Sequence, residues 1–223
     1  MNCGKTSAVI SKFRHMSLPK KVAKSVKITG LNDSPIEQLL RNEVISYSIQ
    51  NGVETARIID KKGMVRDLDI FEFPNHVSVM SKDGKFFGHD FGIIGKLLKT
   101  ALILRKGTYI HSHTKNMPLS GTDIIFMIRG QVQKVVAITP NGNFSSMEMP
   151  KHPKMWLNQK KYLKGINEIH ASQSAKLQKL GLAYTSEEGY KNVTPENLEE
   201  YSNLSNQILQ NFANKFGFNF QKG

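Results

Sequence analysis

Only one cysteine, Cys3, occurs among the 223 residues. A lone thiol closes no disulfide within the chain, and without a Cys-x-x-Cys pair no thiolate zinc site can be built. Long apolar runs are missing as well: the best of them, Ile124-Ile125-Phe126-Met127-Ile128 and Ala101-Leu102-Ile103-Leu104, fall far short of the roughly 18–20 residues that span a bilayer. The N-terminal region has basic residues but no continuous apolar core of a secretory leader. These absences exclude a disulfide-stapled domain and an integral membrane protein, and place the chain's expected location in the cytoplasm. Tryptophan is scarce too. Trp156 stands alone and is expected to anchor the C-terminal part of the chain.

Acidic residues are few, 18 against 31 Lys and Arg, for a net charge of +13. The imbalance is not evenly spread. Residues 1–32 carry seven basic residues and no acid, 33–150 carry fourteen against twelve, and 151–223 carry ten against six. The nearly balanced middle is therefore the expected folded centre, flanked by a basic N-terminal arm (1–32) and a basic helical extension (151–223). Such flanks attract an acidic partner or nucleic acid through their long-range field, and say nothing about the central chemistry. They interleave few aromatics with their lysines, so base stacking is not indicated. Gly4-Lys5-Thr6 has neither the earlier glycine nor the preceding strand of a phosphate-binding loop.

The pattern predicts a helix from Pro35 to about Gln50, capped by Ser34, with Ile36, Leu39, Leu40 and Val44 on one face. Val53–Ile59 reads as a strand, Asp60-Lys61-Lys62-Gly63 as a turn into a second strand. Ile94, Leu97, Leu98, Ala101 and Leu102 recur at helical spacing before Gly107. A strand over 108–113, a helix over 120–129 and a strand over 132–139 follow, then a Pro140-Asn141-Gly142-Asn143 turn and a partner strand from Phe144. Two helices close the chain, 154–180 and one opening at Thr194-Pro195-Glu196 with Leu198, Tyr201, Leu204, Ile208 and Phe212 on one face. The sum is an α+β protein: a mixed β-sheet flanked by helices, with a helical C-terminal extension.

The chemistry concentrates between Gly107 and Ile124. Alternate strand residues share a face, so His111 and His113 present two imidazoles side by side. After six intervening residues, Ser120 can cap a helix and place Asp123 in its first turn. Two imidazoles and a carboxylate make three ligands for a zinc ion with a fourth position open to water. Hydrolysis by that water needs a base and a donor for the oxyanion. Glu54 on the first strand is the candidate base, with Glu72 in reserve, and Ser120 the candidate donor. His15, His76, His89, His152 and His170 have no second ligand at short spacing and are expected to be ordinary surface or hydrogen-bonded residues.

A strand glutamate, His-x-His and Ser-x-x-Asp in this order resemble the JAMM (JAB/MPN+) zinc metallopeptidases over roughly residues 50–145, closest in flavour to the RadC-like and phage-type branch. The chain departs from the usual pattern in having six residues, Thr114 to Leu119, between the second histidine and the serine where seven are usual, and Thr114 where proline is usual. The resemblance implies a JAMM/MPN-like sheet of cytidine-deaminase-like layout, a peptide or isopeptide substrate, Zn2+ held by His111, His113 and Asp123, Glu54 as general base and Ser120 as oxyanion donor. Two rivals stand beside it: a catalytically degenerate domain in a nucleic-acid-associated protein that binds through the basic flanks, and, from the resemblance alone, a structural or maturation component of a phage or mobile element.

Overall fold

The computed structural model describes residues 35–73, 76–86, 89–90, 92–150, 155–180, 183–185, 189–191 and 194–223. The basic arm, the Ser34 cap and the side chain of Trp156 lie outside the described residues. The elements are α1 (Pro35–Asn51), β1 (Ala56–Ile59), β2 (Val65–Arg66), β3 (Asp69–Phe73), β4 (His76–Met80), β5 (Lys85–Phe86), β6 (His89–Asp90), α2 (Gly92–Leu104), β7 (Thr108–Ser112), α3 (Gly121–Gly130), β8 (Lys134–Ile138), β9 (Phe144–Glu148), α4 (Met155–Lys179), β10 (Ala183–Thr185), β11 (Gly189–Lys191), α5 (Pro195–Phe216) and β12 (Asn219–Lys222). No helix among the described residues is long and apolar enough to cross a membrane.

Six strands form one mixed sheet in the order β12-β9-β8-β7-β1-β2. Only β7 and β8 run parallel, because α3 carries the chain back between them; the other pairs are antiparallel. The fold is thus α+β, as the pattern of elements predicts. Side-chain alternation sorts the strands onto two cores. On one face Ile59, Ile110, Val136 and Ile138 meet Leu40, Val44 and Ile45 of α1. On the other, Ile58, Tyr109, Val135 and Ala137 meet Ile124, Met127 and Ile128 of α3, Ile166 of α4, and Leu209 and Phe212 of α5. His111 follows Tyr109 by two and therefore shares the α3 face.

The turn after β1 closes as Asp60 chemistry dictates. Its carboxylate accepts from the Lys62 and Met64 backbone N–H groups at 2.8 and 3.0 Å, and Gly63 takes φ 78°, a region glycine enters without steric cost. The C-terminal strand β12 has no counterpart in the sequence reading. Gly217, at φ 74°, ends α5 in the left-handed conformation and turns the chain onto the sheet edge, where Phe218 and Phe220 are buried and β12 pairs with β9. Residues of 151–223 therefore share the core of 33–150.

Helix α2 forms where the spacing predicts it, with its large apolar residues turned outward. Ile94, Leu97, Leu98 and Leu102 are more than half exposed, as is Ile93, while Gly95, Thr100 and Leu104 are buried. The smaller face packs because Gly95 sits against Gly84, whose carbonyl oxygen would lie 2.1 Å from a Cβ there. On α1, Ile36 and Leu39 likewise face outward while Leu40 and Val44 are buried.

Candidate metal centre

Strand β7 ends at Ser112, but the ladder continues one residue further: the His113 N–H donates to the Ile138 carbonyl at 2.8 Å. His111 and His113 consequently stay on one face, with Nε2 atoms 3.1 Å apart. Asp123 faces them from the first turn of α3, its Oδ1 3.4 Å from His111 Nε2 and its Oδ2 3.7 Å from His113 Nε2. A tetrahedral ion with ligands at 2.0–2.1 Å sets neighbouring ligand atoms about 3.3 Å apart. One ligand atom from each of these three residues lies within 4.8 Å of the others, a group that can hold a metal ion.

The donor set itself asks for a positive charge. His113 Nδ1 lies 2.8 Å from the Met117 carbonyl oxygen, which only accepts, so this nitrogen carries the proton and Nε2 of the neutral ring presents a lone pair to the centre. Such a carbonyl contact on the outer nitrogen is the usual support of a metal-ligating histidine. Asp123 adds a second electron-rich group. Burial pushes its carboxyl upward, but His111, His113 and the Ser120 backbone N–H outweigh it and hold the group well below the usual carboxylate range. His111 Nδ1 is buried without a hydrogen-bond partner among the described residues, which leaves its Nε2 as the ring's only engaged nitrogen.

Ser120 is the N-cap of α3. Its hydroxyl accepts from the Asp123 N–H at 3.2 Å and donates to Asp123 Oδ2 at 2.8 Å, while its own N–H donates to the same oxygen at 2.7 Å. Capping and carboxylate placement are thus one arrangement: two donors fix Oδ2 and turn Oδ1 toward His111. Ser120 and Asp123 both line the cavity that holds the histidines.

Glu54 lies in that cavity too, but not on a strand. The strand begins at Ala56, and Glu54 precedes it in a segment tied by its N–H to the Phe73 carbonyl at 2.8 Å and by the Ser112 N–H to the Thr55 carbonyl at 3.0 Å. Glu54 is 8% exposed, and burial pushes its carboxyl up to about 7; the nearby Asp123 charge raises it further, whereas His113 and a hydrogen bond from the Thr114 backbone lower it. Glu72 is engaged elsewhere, accepting from the Tyr47 hydroxyl at 2.8 Å and from the Thr55 hydroxyl. It braces the segment that carries Glu54.

Several residues at the site carry no signal of their own in the sequence. Tyr109 stacks on His111 with 5.2 Å between ring centroids. His76, expected to be an ordinary surface residue, lines the cavity from β4, and His170, Gln173, Ser174 and Tyr201 line it from α4 and α5. Gln173 also accepts from the Gly121 N–H at 2.8 Å, which joins α4 to the helix bearing Asp123. The two helices approach closely: a Cβ at Gly121 would lie 2.9 Å from His170 Cβ and 3.1 Å from its Cα. Gly121→Ala is expected to lower stability by about 1–3 kcal/mol, the usual cost of overpacking, read as a fall in the denaturant midpoint at unchanged m-value.

No family model, curated protein or solved structure matches this chain.

Proposed function

We propose that the chain is a zinc-dependent hydrolase of the JAMM kind, cleaving a peptide or isopeptide bond. The observation that carries this reading is the meeting of His111, His113 and Asp123 with a buried glutamate whose carboxyl titrates about 7, all in one cavity. Two imidazoles and a carboxylate are donors that zinc takes, and the likeness of the sequence pattern to the JAMM enzymes is what favours zinc over Fe2+. Bound there, zinc supplies Lewis acidity, bringing the pKa of a coordinated water toward about 7 and polarising a carbonyl. Glu54 accepts a proton from the attacking water and delivers it to the leaving amine. Ser120 has two tasks in turn: its N–H and hydroxyl fix Asp123 Oδ2, and its hydroxyl, once rotated off that oxygen while the N–H keeps it, donates its one proton to the oxyanion of the addition step.

The test is metal content after purification, compared between the parent and Asp123→Ala. The parent is expected to carry one zinc per chain and the variant to lose it, with at least a tenfold to hundredfold weaker affinity. Equal zinc in the two proteins would leave Asp123 as a helix cap alone.

A further inference from the structure

The cavity around the three donors measures about 990 Å³, far more than the roughly 30 Å³ of one water. Its walls are of two kinds. Lys115, His170 and Gln173 are polar. Opposite in character are Val77 and Val79 of β4, Leu104 at the end of α2, Tyr109 of β7 and Phe126 of α3, which line the same space with no charged side chain among them. This apolar wall starts at a ligand: Tyr109 stacks on the His111 ring, and Phe126 closes against Tyr109 with 5.0 Å between centroids and 54° between planes. Val77, Val79 and Phe126 are only partly buried against the core, so they keep surface for a further apolar group.

We infer that this wall is a side-chain pocket, and that the site takes carbonyl substrates bearing a large apolar or aromatic group beside the bond that is cleaved. The inference rests on the hydrolase reading of the same centre. A charged group placed against these five side chains would lose its hydration with no partner to replace it. An apolar group gains by leaving water, and the tilted aromatic pair offers a ring both an edge and a face.

The experiment uses the zinc-loaded full chain and three hydroxamates, compounds that chelate zinc and differ in what they project beside it: acetohydroxamate, 3-phenylpropionohydroxamate and the monohydroxamate of succinate. Calorimetry is expected to show the phenyl compound binding about 10–100-fold tighter than acetohydroxamate, and the succinate compound no tighter than acetohydroxamate. In Val79→Asp the phenyl advantage is expected to vanish while zinc stays at one per chain; in Phe126→Ala it is expected to shrink several-fold. Equal affinities for the phenyl and acetyl compounds, a preference for the carboxylate, or a phenyl advantage intact in both variants would each overturn the pocket and leave the hydrolase reading standing. Failure of all three compounds to bind the zinc-loaded chain would bring down both.

Discussion

Glu54→Gln is expected to keep zinc and lose turnover by about 10³-fold, within the range that positioned acid–base groups contribute. Glutamine preserves the shape and the acceptor for the Thr114 N–H, but it neither takes nor returns a proton. The same substitution has a second, opposite effect on the metal-free protein. Burial holds the Glu54 carboxyl at about 7, against 4.5 in the unfolded chain, so the folded state binds this proton more tightly. Stability from this group is therefore present in full below about 4.5 and is lost as the pH rises to about 7, with a total on the order of 3 kcal/mol. Metal-free Glu54→Gln is expected to be the more stable protein above pH 7, with the advantage disappearing below pH 4.5. Denaturant titrations of both proteins at pH 4.5 and 8 measure it. Zinc should shrink the gap, since a neighbouring cation favours the ionised carboxylate. A variant that turns over like its parent, or a gap that does not depend on pH, would remove Glu54 from the role of base.

His111→Ala is expected to abolish zinc binding. The ring is 3% exposed, is fixed by Tyr109 on one side and His113 on the other, and among the described residues no other histidine nitrogen joins Asp123 and His113 in a group that can hold a metal. An ion that binds only the folded chain stabilises it by mass action, about 2.7 kcal/mol at a hundredfold excess over Kd. For a chain of this length that is a rise of about 5–10 °C in Tm. The parent should show this rise on adding zinc, and His111→Ala should show none. An equal rise in both proteins would place the ion elsewhere.

The meeting of His111, His113 and Asp123 was legible where the signal was local. His-x-His needs only the two-residue period of a strand, and Ser120-x-x-Asp123 needs only the geometry of a helix start; both are properties of a few adjacent residues. Glu54 was recognisable as an acid near the site, although the chain holds it ahead of β1 through hydrogen bonds to Phe73 and Ser112, partners that no local pattern announces. The far wall was not legible at all. Gln173 and Tyr201 reach the cavity from helices whose stripes specify burial but not a neighbour. Spacing on α2 marked an apolar face but not which way it turns, because the close approach of Gly95 to Gly84 decides which side faces inward. The strand β12 is four residues long, and the one alternation there, Phe218-x-Phe220, begins a residue ahead of it, too short a pattern to stand apart from a helix tail.

The Gln173–Gly121 bond has a mechanical consequence. Asp123 rides on a helix whose first amide is held by a side chain fifty-two residues away, so the carboxylate inherits the stiffness of the α4–α5 hairpin. Warming that loosens this hairpin would slacken the Asp123 carboxylate while the two histidines, rooted in the middle of the sheet, stayed in place. On heating, affinity for added zinc is then expected to drift before the sheet melts.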